Sequence, residues 1–515
     1  MTAAADRHHR KIKTPEELRE LLGPRPRDKT VVMCHGTFDL VHPGHIRHLA
    51  YAKSKADLLI ASLTSDAHIA KANLRPFVPQ DLRAMNLAAL EDVDYVIVDP
   101  RPTPLENIAF LEPDYFAKGY EYVDGGVHPK TSEEVEVLKR YGGEILFTPG
   151  DIVFSSSRFI EETPPNLAVE KLLALLESEG ISFGDLKDAL VECRGLRVHV
   201  LGDTIVDRYV YCTAIGSSTS KTPTLSVKRD EQVDFVGGAA IVAQHLRAAG
   251  AEVTFSTVLG EDDAAQFVRE ELLAAGIECR AVSDPTRPTT RKANFIAAGH
   301  RLLKVDEVDN RPISNRTLEQ FQGALGETTA DVVVFSDFRH GIFGRETIPQ
   351  LTASIPAGPL RVADSQVASR WGNIVDFQEF DLVTPNEKEA RFSLGDQDSV
   401  IRPLAAELYR RAACRTLVLK LGERGIITYR EHPDRHRDHF TVDSFAETVV
   451  DPVGSGDALL AYTGLTLRAT GNPVIASVLG SMAAGVAVER DGNTPVTPEH
   501  VLEKLERVEQ RASYE

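Results

Sequence analysis

The stretch GTFDLVHPGH, residues 36–45, decides the fold of the first part of the chain. It follows TVVMCH (30–35), an apolar run of strand length, and runs into PGHIRHLAYAKSKA (43–56), where Ile46, Leu49 and Ala50 share one helical face. Pro43 suits a first helical turn, where its missing N–H costs nothing. Outward from this strand, turn and helix the alternation continues. DLLIASL (57–63), DYVIV (94–98), YFAK (115–118) and EILFT (144–148) read as strands, and DLRAMNLAALED (81–92) and EEVEVLKRYGG (133–143) as helices. This rhythm predicts a small doubly wound parallel α/β sheet, a Rossmann-like domain.

The same stretch carries chemistry. His42 and His45 stand three apart, so both imidazoles can lie on one face at a helix N-terminus. Free N–H groups and the positive end of the helix dipole make that end an anion site. Gly36 lets a phosphate approach the backbone, and Thr37 and Phe38 continue the turn. Two histidines beside backbone donors suit the charge that builds when an NTP α-phosphate is attacked and pyrophosphate leaves. A pair of surface histidines is the plainer reading of the spacing alone; the strand–Gly–Pro–helix setting favours the catalytic one.

After a turn-rich break at EETPPN (161–166), AVEKLLALLESEG and FGDLKDALVEC are amphipathic helical segments, expected to form a linker over 163–194. The first domain is expected over 28–162 and a second over 195–510. That second domain opens with LRVHVLGD (196–203), passes through short alternating strands at 208–235 that suggest a β-flap, and resumes the β-α rhythm from Gly237.

DPVGSGDALLA (451–461) places Gly454, Ser455 and Gly456 before a helix, where their N–H groups can receive a transferring phosphoryl group. Asp457 stands where a base could take the proton of an attacking hydroxyl. VGGAAIVAQHLRAAG (236–250) brings the pair Gly237–Gly238 to a second helix start. In TPNEKEA (384–390), Asn386 and Glu389 suit Mg²⁺ held largely through waters. A helix cap for Asn386 and a solvated face for Glu389 are the alternatives.

Composition excludes several classes. The chain of 515 residues has a formal net charge of −18, acidic in both halves, which argues against nucleic-acid or anionic-membrane partners. No apolar run approaches the ~18 residues of a membrane span. The five cysteines are scattered without a CxxC pair, as expected of reduced thiols in a cytoplasmic protein.

These motifs resemble two families. Residues from about 30 to 160 resemble the HxGH nucleotidyltransferases of the cytidylyltransferase-like group. The resemblance implies a phosphate-binding role for Arg83, in RPFVPQDLRAMNLAALEDVDYVI, and polar substrate contacts from Asp66 and Lys71. It implies phosphate binding by Ser155, Ser156 and Ser157 in FSSSRFI (154–160), and sugar or base contacts near Glu121, in KGYEY (118–122) where KGGDY is usual.

Residues from about 195 to 505 resemble the ribokinase/PfkB family, particularly its heptose-phosphate kinases. In GDTIVDRYVY (202–211) that likeness implies sugar binding by Asp203 and Asp207, with Gly237 and Gly238. In TTRKANFI (289–296) it implies sugar-phosphate contacts from Arg291 and Lys292. LKLGERG (419–425) resembles the ATP-contacting strand and turn, which brings in Lys420 and Gly422, and VFSDFRHG (334–341) resembles SDYxKG. The chain departs from the pattern at Ile241, where GGxxNxA has Asn, at Ser455, where GAGD has Ala, and at DSQ (364–366), where DPK is common.

Together the halves resemble the bifunctional ADP-heptose synthases, with the two domains in reversed order. The implied ligands are ATP as phosphoryl donor, an NTP as nucleotidyl donor, Mg²⁺ and small sugar phosphates. The implied assembly is a homo-oligomer, with a dimer paired through the flap as one form. Another sugar or polyol phosphate with a CDP- or GDP-linked product remains open, as does decay of one domain into a non-catalytic sensor or scaffold.

Overall fold

The computed structural model describes residues 8–69, 76–119, 129–148, 168–215, 225–366, 373–432, 438–490 and 492–514. The chain divides into two compact units, Met1–Ala174 and Leu175–Glu515.

The first unit contains the strands β1 Val31–Gly36, β2 Leu58–Thr64, β3 Tyr95–Asp99, β4 Tyr115–Gly119 and β5 Glu144–Thr148. They form a five-stranded parallel sheet in the order β3-β2-β1-β4-β5. This is the expected doubly wound sheet. Strand order reverses between β1 and β4, so the carboxyl ends of these two strands frame the crevice where such folds bind ligands. Helices cover both faces. Leu49, Leu87 and Ala88 pack on one side with Val32 and Cys34, and Ile108, Leu111 and Leu138 on the other with Val31 and Met33. Ile46, expected to share the face of Leu49, is 45% exposed, whereas Leu49 is buried.

The main sheet of the second unit has seven parallel strands: β6 Arg197–Gly202, β9 Glu252–Leu259, β10 Glu278–Ser283, β13 Val332–Asp337, β14 Leu360–Ser365, β15 Leu382–Val383 and β16 Thr416–Lys420. β17 Ile426–Arg430 and β18 His439–Val442 add an antiparallel edge. The order of the nine is β10-β9-β6-β13-β14-β15-β16-β17-β18. Both faces are buried, so the strands read as nearly continuous apolar runs such as VVVF at 332–335.

A separate flap is built from β7 Thr204–Ala214, β8 Val227–Gly238, β11 Arg291–Ala297 and β12 His300–Glu307, in the order β12-β11-β7-β8. The flap therefore recruits 291–307 in addition to the 208–235 hairpin. Of the two expected linker helices, Phe183–Glu192 packs Leu186, Ala189 and Leu190 into the second unit, against the helix Ser455–Thr470. It belongs to that unit's body. Among the described residues no helix is long and apolar enough to cross a membrane, and all five cysteines are unpaired.

Candidate active sites

In the first unit, His42 caps the helix Pro43–Lys53, its Nδ1 accepting the Gly44 N–H at 3.1 Å. That bond leaves the proton of the neutral ring on Nε2, facing away from the cap. Burial pushes the His42 pKa down, which favours this neutral donor form. The His45 ring lies 3.9 Å from His42 between centroids, and Phe38 meets His45 edge-on at 5.2 Å. A Cβ on Gly44 would stand 2.9 Å from the His42 ring. Only glycine there lets the imidazole fold back over its own helix start, a constraint that the spacing of the histidines does not reveal.

Asp39 is buried and ties the loop at 76–79 to the β1 turn, accepting from Phe77 N at 2.9 Å and Val78 N at 2.8 Å. The expectation that Arg83 offers its guanidinium to phosphate meets a different arrangement. Arg83 is wholly buried and donates to Val78 O at 2.9 Å, Thr64 O at 3.0 Å, Thr37 O, and Asp66 Oδ1 at 2.5 Å. A guanidinium with four acceptors inside the wall braces the turn that carries Gly36, Thr37 and Phe38. Asp66 is likewise taken up as its ion-pair partner. Lys71, Glu121, Ser155, Ser156 and Ser157 lie outside the described residues.

Other polar groups near the carboxyl ends of the strands pair with one another, beyond those the motifs single out. His35 bonds Ser62 Oγ at 2.9 Å and Thr64 Oγ1 at 3.2 Å, and burial, helped by Lys118, holds its pKa down at about 4. Lys118, at the end of β4, pairs with Glu134, and His48 Nδ1 meets Thr148 Oγ1 at 2.8 Å. The signal for Lys118 is its place at the start of KGYEY; His35 and His48 carry none.

In the second unit, Gly454 (φ +79°) begins the helix Ser455–Thr470, and Asp457 lies buried in its first turn. A Cβ on Gly454 would stand 2.1 Å from Asn493 Oδ1. Lys420 comes from the end of β16, just before the positive-φ turn at Gly422, and packs against Gly456. Its Nζ meets Asp364 Oδ1 at 3.0 Å and Oδ2 at 3.2 Å. Burial opposes its charge, but Asp364 and Glu389 outweigh that, and the ammonium is held above its ordinary pKa. Thus the DSQ segment, which lacks a lysine, receives one from a strand of the same sheet.

Burial, reinforced by Asp364, Asp207 and Glu389, pushes Asp457 up to about 8. Glu389 is pushed up to about 7, again by burial first and then by Asp364. Glu389 is 4% exposed, so it is no solvated face, whereas Asn386 does cap the helix Glu387–Leu394. The two form a reciprocal capping box, with Glu389 N donating to Asn386 Oδ1 at 3.0 Å and Asn386 N to Glu389 Oε2 at 2.6 Å. Among the described residues no group of three or more His, Cys, Asp or Glu could hold a metal directly. Asp364, Glu389 and Asp457 lie around this one ammonium, and a hydrated divalent cation held through waters would draw Glu389 and Asp457 toward their ionised forms.

Asp203 accepts from Phe338 N at 3.0 Å and His340 N at 3.1 Å, which ties it to the loop after β13; burial and then Asp337 push it up to about 7. Asp207 receives Asn493 Nδ2 at 3.2 Å, and its Oδ2 lies 2.0 Å from where a Cβ on Gly237 would be. Gly238 (φ +63°) then starts the helix Ala239–Ala248, in whose core Ile241 is buried. Lys292 stands opposite Asp207 on the flap. Arg291 faces the other way along the strand, pairing with Asp263 at 2.9 Å and Glu307 at 3.5 Å. Asn493 also joins this site, although nothing in DGNTPV marks it.

The PfkB family model, a family of carbohydrate kinases, matches residues 196–500. The chain belongs to this family. A cytidylyltransferase-like model matches residues 33–162. The bifunctional protein HldE of Geobacter metallireducens is 28% identical over 326 residues, covering 62% of this chain and 64% of that protein. HldE of Caulobacter vibrioides is 30% identical over 314 residues, covering 59% and 62%. The chain thus spans a little under two thirds of the length of these relatives. Phosphofructokinase-2 from Escherichia coli, solved in complex with potassium, aligns with a TM-score of 0.51 at 16% identity. The alignment covers 61% of this chain and 99% of that one, which marks a shared fold.

Proposed function

We propose that the chain is a bifunctional sugar-activating enzyme. The second unit transfers the ATP γ-phosphoryl group to the anomeric hydroxyl of a heptose 7-phosphate, namely D-glycero-D-manno-heptose 7-phosphate. The first joins a heptose 1-phosphate to an NTP, preferably ATP, and releases pyrophosphate.

The observation that carries the kinase half is Asp457, a buried carboxyl beside the Gly454–Gly456 turn and within the field of Lys420. In its ionised form, which Lys420 favours and a bound cation would favour further, it takes the hydroxyl proton as the oxygen attacks phosphorus, while the turn's N–H groups and Lys420 receive the transferring charge. Mg²⁺, held through waters near Asn386, Glu389 and Asp364, would screen the ATP phosphates. Asp203, Asp207, Gly237, Gly238 and Lys292 line the sugar side. The nucleotidyl half rests on the stacked His42 and His45 over the helix start, with the Gly36–Phe38 turn beneath them. Each ring offers N–H donation to the phosphates as pyrophosphate departs.

The likeness to HldE favours the heptose substrate. The buried Ile241 in place of a polar sugar contact, and Gln366 in DSQ, favour a second reading in which another sugar or polyol phosphate is joined to CTP or GTP. A panel of ATP, CTP, GTP and UTP with heptose 1-phosphate separates the two. Turnover with ATP supports the first reading, and no turnover with any of the four removes the heptose. Five unpaired thiols support a cytoplasmic setting. Leu303 and Val305, 57% and 42% exposed on the flap's edge strand β12, support pairing of two copies there.

A further inference from the structure

β6 and β13 lie side by side in the main sheet, and their carboxyl ends run out into Asp203 and into the loop 338–341. Asp203 is buried, and its Oδ2 accepts from both Phe338 N at 3.0 Å and His340 N at 3.1 Å. In an extended strand the N–H groups of residues two apart stand roughly 7 Å from each other, too far to share one oxygen. A left-handed residue between them folds the two together into an anion-binding nest. That residue is Arg339, at φ +66°.

An arginine has no intrinsic reason to be left-handed. Its Cβ crowds the carbonyl that follows, and the conformation persists only where neighbours hold it. Asp337 holds it twice. Its Oδ1 accepts the Arg339 N–H at 2.8 Å, and its Oδ2 accepts the guanidinium Nη1 at 2.9 Å. Asp337 is buried and is itself fixed by Ser365 Oγ at 2.7 Å, from the end of β14. The same Nη1 also reaches Phe343 O at 3.4 Å, further along the loop. Three successive N–H groups are thus divided between two buried carboxylates, those of 338 and 340 to Asp203 and that of 339 to Asp337. A simple ion pair would account for the guanidinium. It would not account for a side chain at a position that glycine fills more readily, as Gly341 does at φ +109° two residues on. With Oδ2 taken, Oδ1 is the oxygen of Asp203 left to accept a sugar hydroxyl, and the nest sets its direction.

We propose that Arg339 is a positioning residue of the kinase site. Its left-handed backbone, latched by Asp337, aims the Phe338 and His340 N–H groups at Asp203 and so orients the carboxylate that meets the sugar. This role rests on reading Asp203 as a sugar ligand of the second unit.

The test is a series at this one position in the full chain, Arg339→Gly, Arg339→Ala and Arg339→Val, with Asp203→Asn beside it. Each is assayed for ADP release with ATP and heptose 7-phosphate. All three Arg339 variants lose the guanidinium latch, so they differ in how readily the backbone turns left-handed: glycine freely, alanine at a cost, valine at the greatest. KM for the sugar is expected to stay within about fivefold of wild type in Arg339→Gly and to rise about 10–100-fold in Arg339→Val, as loss of charge-assisted hydrogen bonds should, with Arg339→Ala between. KM for ATP should move less than about twofold throughout, since only sugar binding is disturbed. A role confined to packing or charge gives another order, with glycine the worst of the three or all three alike. That order, in variants whose Tm shows them folded, overturns the positioning role. Should Arg339→Val not fold, a higher sugar KM in Arg339→Ala than in Arg339→Gly supports the role, and an equal or lower one sinks it. An unchanged sugar KM in Asp203→Asn shows instead that Asp203 is no sugar ligand, and the reading beneath the proposal fails. No ADP release from wild type, with heptose 7-phosphate or with unphosphorylated heptose, removes the kinase reading and the positioning role together.

Discussion

Replacing Asp457 by asparagine should abolish phosphoryl transfer and at the same time stabilise the second unit at neutral pH. The carboxyl is buried among Asp364, Asp207 and Glu389, and is pushed from 3.8 up to about 8. A raised value means that the folded chain holds the proton more tightly than the unfolded chain. Below about pH 4 both states are protonated and the carboxyl is neutral in its effect. As pH rises from about 4 to about 8 the unfolded chain ionises while the folded chain cannot, so stability falls through that window. At pH 7 the gap is roughly three pK units at 1.36 kcal/mol each, an upper bound of about 4 kcal/mol. The amide introduced by Asp457→Asn never ionises and escapes this cost. Calorimetric scans at pH 4, 6 and 8 should show the Tm advantage of Asp457→Asn growing with pH, to several degrees at pH 8. Phosphoryl transfer should fall by about 10²–10⁴, with nucleotidyl transfer unchanged. A variant that keeps its kinase activity, or whose Tm difference is the same at pH 4 and pH 8, would refute the assignment of a catalytic base whose ionisation burial opposes.

Other consequences are direct. His45→Ala should lower nucleotidyl transfer by at least about 10²-fold and leave phosphoryl transfer intact, measured as pyrophosphate release against ADP release. Gly44→Ala should drive the His42 ring off its helix cap, given the 2.9 Å approach, and lower nucleotidyl transfer tenfold or more. The near-native Tm expected of that variant would separate a local from a global effect. Lys420→Met should cost both kinase activity and stability, since it leaves Asp364 buried without its cation; breaking such pairs typically costs about 3–5 kcal/mol, read as a fall in Tm. Leu303→Asp should lower the oligomer mass seen by light scattering if copies pair through the flap.

The sheet of the first unit is legible in the sequence because parallel strands buried on both faces write themselves as apolar runs between helical stretches. The two glycine-marked helix starts are legible because a Cβ on Gly237, Gly238 or Gly454 would collide with Asp207, Asp203 or Asn493, so glycine is demanded there. The rest depends on contacts remote in sequence. Lys420 finds Asp364 across 56 residues, and Asn493 finds Asp207 across 286. The fate of Arg83 is hidden because a buried brace and a phosphate ligand call for the same side chain; only its four acceptors tell them apart. Arg291 and Lys292 show strand alternation at its plainest. Adjacent residues face opposite ways, so Arg291 joins Asp263 while Lys292 shares a face with Asp207. The flap is only half visible in the sequence, because β11 and β12 join the 208–235 hairpin from well downstream, after two helices and two strands of the main sheet.

The two active sites proposed for this chain, if they act on a phosphorylated heptose, would leave a distinctive trail of products. Mass spectrometry would follow them in the full chain incubated with heptose 7-phosphate, ATP, a sugar-bisphosphate phosphatase and mixed NTPs. A heptose bisphosphate should form before the phosphatase is added, and a nucleotide-linked heptose with pyrophosphate afterwards. Asp457→Asn should block the first product and His45→Ala only the second. Absence of both products, or loss of both through His45→Ala alone, would contradict the assignment of two separate sites.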